Sequence, residues 1–156
     1  MDDLDRLLGA TTPSEAETLR LELESAFAPH QVLQGGAGSL VRRIVAEIPH
    51  ASSAVVRELW DLLAQLAAGV AGPSAATSGA VAETRVALRE SVPVVAQHLV
   101  SPGSSAGDFL AVDVLDAVYD HLDHASQMEV GEALTCFAAR GDGEARRARL
   151  VLGDRR

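Results

Sequence analysis

Lysine and asparagine are missing from this chain, cysteine occurs once, and aromatic residues make up only 3% of its 156 residues. A single cysteine excludes an internal disulfide and the paired cysteines of a zinc ribbon. Because Cys136 lies in an apolar helical pattern, we expect its thiol to be buried and unreactive. The scarcity of aromatic side chains argues against a surface that stacks nucleic-acid bases and against an aromatic cage.

Long hydrophobic runs are also missing. No uninterrupted apolar stretch reaches the roughly 18 residues that a membrane span requires. The first residues, MDDLDRLL, are acidic, whereas a signal peptide begins with a basic region. We therefore expect a cytoplasmic protein that does not bind a membrane.

Positive charge is scarce over most of the chain, and the formal net charge is −9. Residues 1–139 hold 19 acidic residues and 7 arginines, a balance of −12, whereas residues 140–156 hold 3 acidic residues and 6 arginines, a balance of +3. An acidic body repels nucleic acids and anionic lipids, which carry the same sign. We expect no nucleic-acid partner, and we interpret the arginine-rich end as a solubilising terminus.

Apolar residues account for 47% of the chain, enough for one folded domain with a sizeable core. They recur every three or four positions, the spacing of helices that bury one face, and no alternating run is long enough for a strand. The sequence predicts an all-α fold with an N-terminal segment (1–12), a single helical domain (13–152) and a short tail (153–156).

The stretch 81–124 predicts two antiparallel helices joined by the polar turn 101–105. Pro93 lies inside the first helix, where we expect a kink or a break. The second helix is predicted to run from Asp108 to His124 as one element. Its apolar face opposes an acidic ridge, which consists of Asp113, Asp116, Asp120, Asp123 and His124.

Capping signals predict where the other helices begin. Thr12-Pro13-Ser14-Glu15 has the form of a capping box, and Ser39, Ser52 or Ser53, and Ser126 are expected caps of later helices. The glycine-rich segment 35–38 lacks the GK[ST] sequence of a phosphate-binding loop, so we interpret it as a flexible connection. We expect residues 55–70 to form the central helix, residues 72–79 a loop, and residues 144–152 a last helix.

Two parts of the chain share a pattern. SLVRRIVAEI, a turn and VVRELWDLLAQLAAG are followed by SVPVVAQHL, a turn and AVDVLDAVYDHL, at a spacing of roughly 40 residues. Over residues 14–140 the chain resembles HEAT-like α-helical repeats, in particular small proteins of this type from actinobacteria. Coding bias of a GC-rich genome also accounts for an all-arginine set of basic residues.

The resemblance implies antiparallel hairpins stacked as a short HEAT-like α-solenoid, a class whose extended surfaces mostly bind proteins. The usual aspartate and arginine at the turn and second-helix positions are missing, so an irregular bundle is the alternative.

The acidic ridge and Trp60 are the candidate partner-binding residues. Asp120 and His124 are four residues apart, a spacing that can present two ligands to a metal, but the sequence offers no further ligand. We assign no catalytic residue, metal or cofactor. Trp60 lies at the edge of an apolar stripe, where tryptophan serves either as a core residue or as an anchor for a partner.

The leading functional hypothesis is a non-catalytic module that binds and stabilises a partner protein, for example an enzyme of a biosynthetic complex. One alternative is an immunity protein that neutralises a basic toxin, since the chain is acidic. Another is a small enzyme or ligand-binding domain that uses histidine and aspartate in a groove between helices. Self-association is left open.

Overall fold

The computed structural model describes residues 2–71, 79–101, 107–140 and 145–154, and throughout these ranges the regular structure is helical. The helices are α1 (Asp3–Leu8), α2 (Pro13–Phe27), α3 (Ala37–Glu47), α4 (Val56–Ala71), α5 (Gly79–Val100), α6 (Asp108–Val118), α7 (His124–Ala138) and α8 (Ala145–Asp154). Short 3-10 turns occur at Pro29–Gln31, Ile48–His50 and Tyr119–His121. The predicted all-α fold is confirmed. Most of the two predicted loops, residues 72–78 and 102–105, lies outside the described residues.

From α2 to α6, each helix packs against the helix two positions later in the chain. The even-numbered helices α2, α4, α6 and α8 are neighbours in that order, and so are the odd-numbered helices α3, α5 and α7. Arg43 of α3 extends the odd-numbered row to α1, since its guanidinium pairs with Asp2 and, at 2.9 Å, with Asp5. The core lies between the two rows. None of the described helices is both long and apolar enough to cross a membrane.

Helix α4, where residues 55–70 were predicted to form the central helix, packs against α2, α3, α5 and α6. Its core side chains have no exposed surface: Leu59, Trp60, Leu62, Leu63, Leu66 and Ala67. A leucine buried in this way contributes about 1.5–3 kcal/mol relative to an exposed one. The apolar residues of this one helix therefore contribute a large part of the hydrophobic stabilisation.

The start of α2 confirms its predicted cap. Thr12 accepts a hydrogen bond from the backbone N–H of Glu15 at 3.3 Å, and Pro13 occupies the first helical position. The carboxylate of Glu15 reaches back one residue further than in a capping box and accepts from the backbone N–H of Thr11 at 2.9 Å. These two hydrogen bonds satisfy backbone N–H groups at the start of α2. An N-terminal cap typically stabilises a helix by about 1 kcal/mol.

The glycine-rich segment 35–38 serves a close helix crossing. Helix α3 begins at Ala37, with Gly36 as its cap at a φ of 86°, so the predicted cap at Ser39 was wrong. Gly38 lies against α5, where a Cβ atom would come within 2.9 Å of the carbonyl carbon of Glu83. Glycine lets the backbones of α3 and α5 approach each other at this point.

Further local predictions were wrong. Helix α5 continues through Pro93, which lies on its exposed face, so the alternative of a break is wrong and a kink stays a prediction. The helix predicted to reach His124 ends at Val118. A 3-10 turn follows it, and the cap of α7 is Asp123 and not the predicted Ser126, because the Asp123 carboxylate accepts from the N–H of Ser126 at 2.9 Å. Cys136 is exposed and not buried.

Candidate functional site

The acidic ridge is divided among three elements. Asp113 and Asp116 lie on α6 beside a surface depression, where Asp113 pairs with Arg147 of α8 at 2.7 Å. Asp120 lies in the 3-10 turn, and Asp123 and His124 start α7. The backbone N–H of Ser126, hydrogen-bonded to Asp123, lowers the pKa of that carboxyl group. Asp120 and His124 are therefore not on one helix, and the spacing argument for a shared ligand no longer applies.

Trp60 lies apart from the ridge, against the N-terminal end of α6. Gly107 precedes α6 with a φ of 85°, and a Cβ atom there would lie 2.3 Å from Cδ1 of the indole. The backbone can pass this close only because residue 107 is glycine. The opposite neighbour of Trp60 is His98 of α5, whose ring centroid lies 4.5 Å away at an interplanar angle of 42°.

An apolar groove of about 620 Å³ opens beside these two rings. Ile48, Pro49 and Val56 form one side of it, and the other side is formed by α5 from Pro93 onward and by Ser101, which follows the helix. The remaining lining residues are Trp60, Val94, Gln97, His98 and Glu129. The volume falls within the range of about 300–1,000 Å³ that is typical of ligand sites. Trp60 contributes to the floor of the groove without any solvent-exposed surface of its own.

A charged cluster stands behind the groove. The carboxylate of Asp108, the first residue of α6, has 3% of its side chain exposed. His98 Nε2 lies 3.0 Å from its Oδ1, and Arg140 Nη1 lies 3.3 Å from its Oδ2. Oδ1 accepts no well-directed hydrogen bond from the described residues, so we regard the His98 contact as one between the carboxylate charge and the dipole of the imidazole ring. The helix N-terminus also favours the buried negative charge.

Arg140 joins three segments of the chain. Beyond its contact with Asp108, its Nη2 donates to the carbonyl oxygens of Leu99 at 2.6 Å and Ser101 at 2.8 Å. Its guanidinium carbon lies 5.0 Å from the centroid of the Phe137 ring, a distance at which a cation is attracted to the ring face. These bonds fix the end of α5, and with it His98 and Ser101, relative to α6 and α7.

His98 is uncharged at neutral pH. Burial lowers the pKa of its imidazole below the ordinary value of 6.5, and the positive charge of Arg140 acts in the same direction. Asp108 opposes this effect but does not reverse it. The groove therefore has a neutral imidazole in its wall, together with one acidic side chain, Glu129, among its described lining residues.

A second buried charge cluster ties α2 to α4. Arg20 of α2 is only 8% exposed, and its guanidinium pairs with Glu24 on its own helix. Its Nε lies 3.0 Å from Glu58 and 3.1 Å from Asp61, both of α4. Three carboxylates share one guanidinium, which makes Arg20 the link between these helices.

The sequence did not reveal the groove or the cluster behind it. His98 lies off the main apolar stripe of its helix, and Arg140 reads as part of a solubilising terminus. A signal did exist at Gly107-Asp108, because glycine adopts a left-handed backbone conformation readily and an acidic side chain is favoured at the N-terminus of a helix. That signal says nothing about which side chains meet there, because His98, Asp108 and Arg140 come from different parts of the chain.

Among the residues that the structure describes, no three histidine, cysteine, aspartate or glutamate side chains are grouped to hold a metal ion. The chain matches no protein-family model, no curated protein and no solved structure.

Proposed function

We propose that this chain is a non-catalytic module that binds one partner protein through the apolar groove beside α5. The observation that carries the proposal is the groove itself, an open surface of about 620 Å³ lined mainly by apolar side chains. Val94, which lines it, leaves 41% of its surface exposed. Contiguous apolar surface of this kind is costly in water and marks sites where another molecule binds.

The wall of the groove is held in place before a partner arrives. Arg140 anchors the last turn of α5, and Gly107 allows α6 to press against Trp60. A surface that is already ordered loses little conformational entropy on binding, so more of the contact energy contributes to affinity. This rigidity supports docking of a partner onto a preformed surface.

The order of the helices supports the interpretation of the chain as a short stack of hairpins. In such a stack each helix has its nearest equivalents two positions before and after it, which is the neighbour pattern of both helix rows. We propose that the fold is of the HEAT-like type, with an irregular bundle as the alternative. The groove then lies where α5 is flanked by the turn before α4 and by α7.

Partner capture tests the proposed function. The full chain, tagged and immobilised, is exposed to an extract of its native host, in parallel with Val94→Glu. A charge at position 94 makes the groove unfavourable for apolar groups, so captured partners should be lost. Val86→Glu is the matched control, because Val86 lies on the same helix and is 47% exposed, but does not line the groove. Capture that is equal for all three proteins would contradict the proposal.

A small-molecule site is the second candidate function. The specific observation that favours it is the imidazole of His98, a polar group in the wall of a ligand-sized apolar groove. A thermal-shift screen of small organic acids and amines would reveal it. A ligand of this kind should stabilise the unaltered chain and not Val94→Glu.

A further inference from the structure

We propose that the occupant of the groove is a single amphipathic helix of the partner, which places apolar side chains in the groove and an arginine or lysine against Glu129. This inference rests on the proposed function and names the chemistry of the partner segment. It follows from the shape of the groove, from the elements that line it and from its charge.

The length of the groove suits two turns of a helix. The lining residues of α5 and of the position after it run from Pro93 to Ser101, and eight helical steps of about 1.5 Å span about 12 Å. A helix lying along this wall presents side chains at positions i, i+3 or i+4, and i+7 over the same distance. Three apolar anchors can therefore enter the groove together.

The elements around the groove favour a helix over other peptide conformations. An extended strand gains its affinity by pairing with a sheet edge, and the walls here are helices and a 3-10 turn. A proline-rich segment docks between exposed aromatic rings, and the one aromatic residue that lines the groove, Trp60, has no exposed surface. A helix requires only apolar walls, which Ile48, Pro49, Val56 and Val94 supply.

The charge of the groove selects a cationic partner. Glu129 lines the groove and is exposed, and it forms no ion pair with any described residue. Glu132 follows one turn later on the same helix and is also exposed. The nearby guanidinium of Arg140 is committed to Asp108 and to two carbonyl oxygens, so it does not neutralise this rim. An arginine or lysine beside the apolar anchors of the partner helix would form an ion pair with Glu129 and would attract the partner to the groove.

Selection from a random peptide library tests the inference. Peptides of about 16 residues displayed on ribosomes are selected against the full chain, with Val94→Glu as the counter-selection target. Enriched sequences should show apolar residues at i, i+3 or i+4, and i+7, together with an excess of lysine and arginine. Enrichment of proline-rich, alternating or acidic sequences would overturn the inference, and so would a failure to enrich any sequence over the counter-selection.

A charge exchange then tests the role of Glu129. The best enriched peptide is titrated into the chain while the fluorescence of Trp60 is followed. Glu129→Lys should weaken binding about tenfold, and a peptide with glutamate in place of its key cation should recover the affinity. Glu17→Lys, an equal change of charge on the exposed face of α2, is the control and should have little effect. Equal losses for the two variants would contradict a direct pairing.

The two proposals can fail separately. If a host protein is captured in a manner that depends on Val94 while no cationic helix is enriched, the nature of the occupant is wrong and the proposed function stands. If capture does not depend on Val94, the groove is not the binding surface and both proposals fall.

Discussion

The ring centroids of Trp60, at the floor of the groove, and His98, in its wall, lie 4.5 Å apart. Trp60 is the only tryptophan of the chain, so its fluorescence reports on this one position. Any ligand that enters the groove, and any change in the charge of His98, alters the surroundings of that ring. The molecule therefore carries its own probe for both proposals.

The first prediction concerns pH. The pKa of His98 is lowered in the folded chain, so between that value and about 6.5 the unfolded chain binds more protons. The stability that His98 contributes is present above pH 6.5 and is lost as the pH falls through the folded pKa. Urea titrations at several pH values measure the free energy of unfolding. This free energy should fall more steeply with decreasing pH for the unaltered chain than for His98→Gln. Parallel curves for the two proteins would contradict it.

The second prediction concerns Asp108. Asp108→Asn keeps the shape of the side chain but removes the charge that faces His98 and Arg140, and it should cost about 1–3 kcal/mol of stability because Arg140 loses its buried partner. It should also lower the pKa of His98 further, since Asp108 is the group that raises it.

Asp113→Asn is the matched control, because the Asp113 pair with Arg147 is exposed and should contribute only about 0–1 kcal/mol. Urea denaturation measures the stability of both variants, and the pH dependence of Trp60 fluorescence measures the pKa. Equal losses of stability would contradict the prediction that the buried contacts of Asp108 contribute more than the exposed pair of Asp113 with Arg147.

The third prediction concerns Gly107. Gly107→Ala forces a side chain into a left-handed backbone conformation, with its Cβ 2.3 Å from the Trp60 ring. We expect a loss of about 2–5 kcal/mol from backbone strain and overpacking together, with a shift in Trp60 emission. In Gly131→Ala on α7, by contrast, the new Cβ meets nothing within 4 Å, and the variant should be about 0.5–1 kcal/mol more stable. The midpoint of thermal unfolding should therefore fall for Gly107→Ala and rise for Gly131→Ala.

The fourth prediction concerns Arg20. Arg20→Met retains much of the side-chain volume but leaves Glu24, Glu58 and Asp61 close together without their cation. Loss of one partner from a buried charge cluster should cost about 3 kcal/mol. Arg42→Met removes an exposed pair with Glu90 and should cost less than about 1 kcal/mol. Chemical denaturation compares the stability of the two variants, and equal losses would contradict a special role for Arg20.

Local chemistry was a good guide to where helices exist and a poorer guide to where they end. The apolar spacing of residues 55–70 predicted a buried helix, and its core leucines are fully covered. The end of α6 was missed because Tyr119 and Leu122 continue the apolar spacing after the helix has stopped. The start of the next helix, α7, is marked by the hydrogen bond from the N–H of Ser126 to Asp123. The spacing of apolar residues does not predict this bond.

Pro93 shows why a strong local rule can fail. Proline removes one backbone donor, but here it lies on the exposed side of α5, while Val92, Val95 and Ala96 are buried on the other side. Packing of those neighbours keeps the helix continuous. The groove depends on the same kind of long-range effect, since the contacts of His98 with Trp60 and Asp108 join residues that sequence spacing does not relate.

The bonds made by Arg140 set an order of events during synthesis. This residue lies 41 positions after Leu99 and 32 positions after Asp108, yet it binds both. A nascent chain cannot make these bonds until residue 140 has left the ribosome. The end of α5 is therefore fixed in place only after the helices that line the groove have been synthesised.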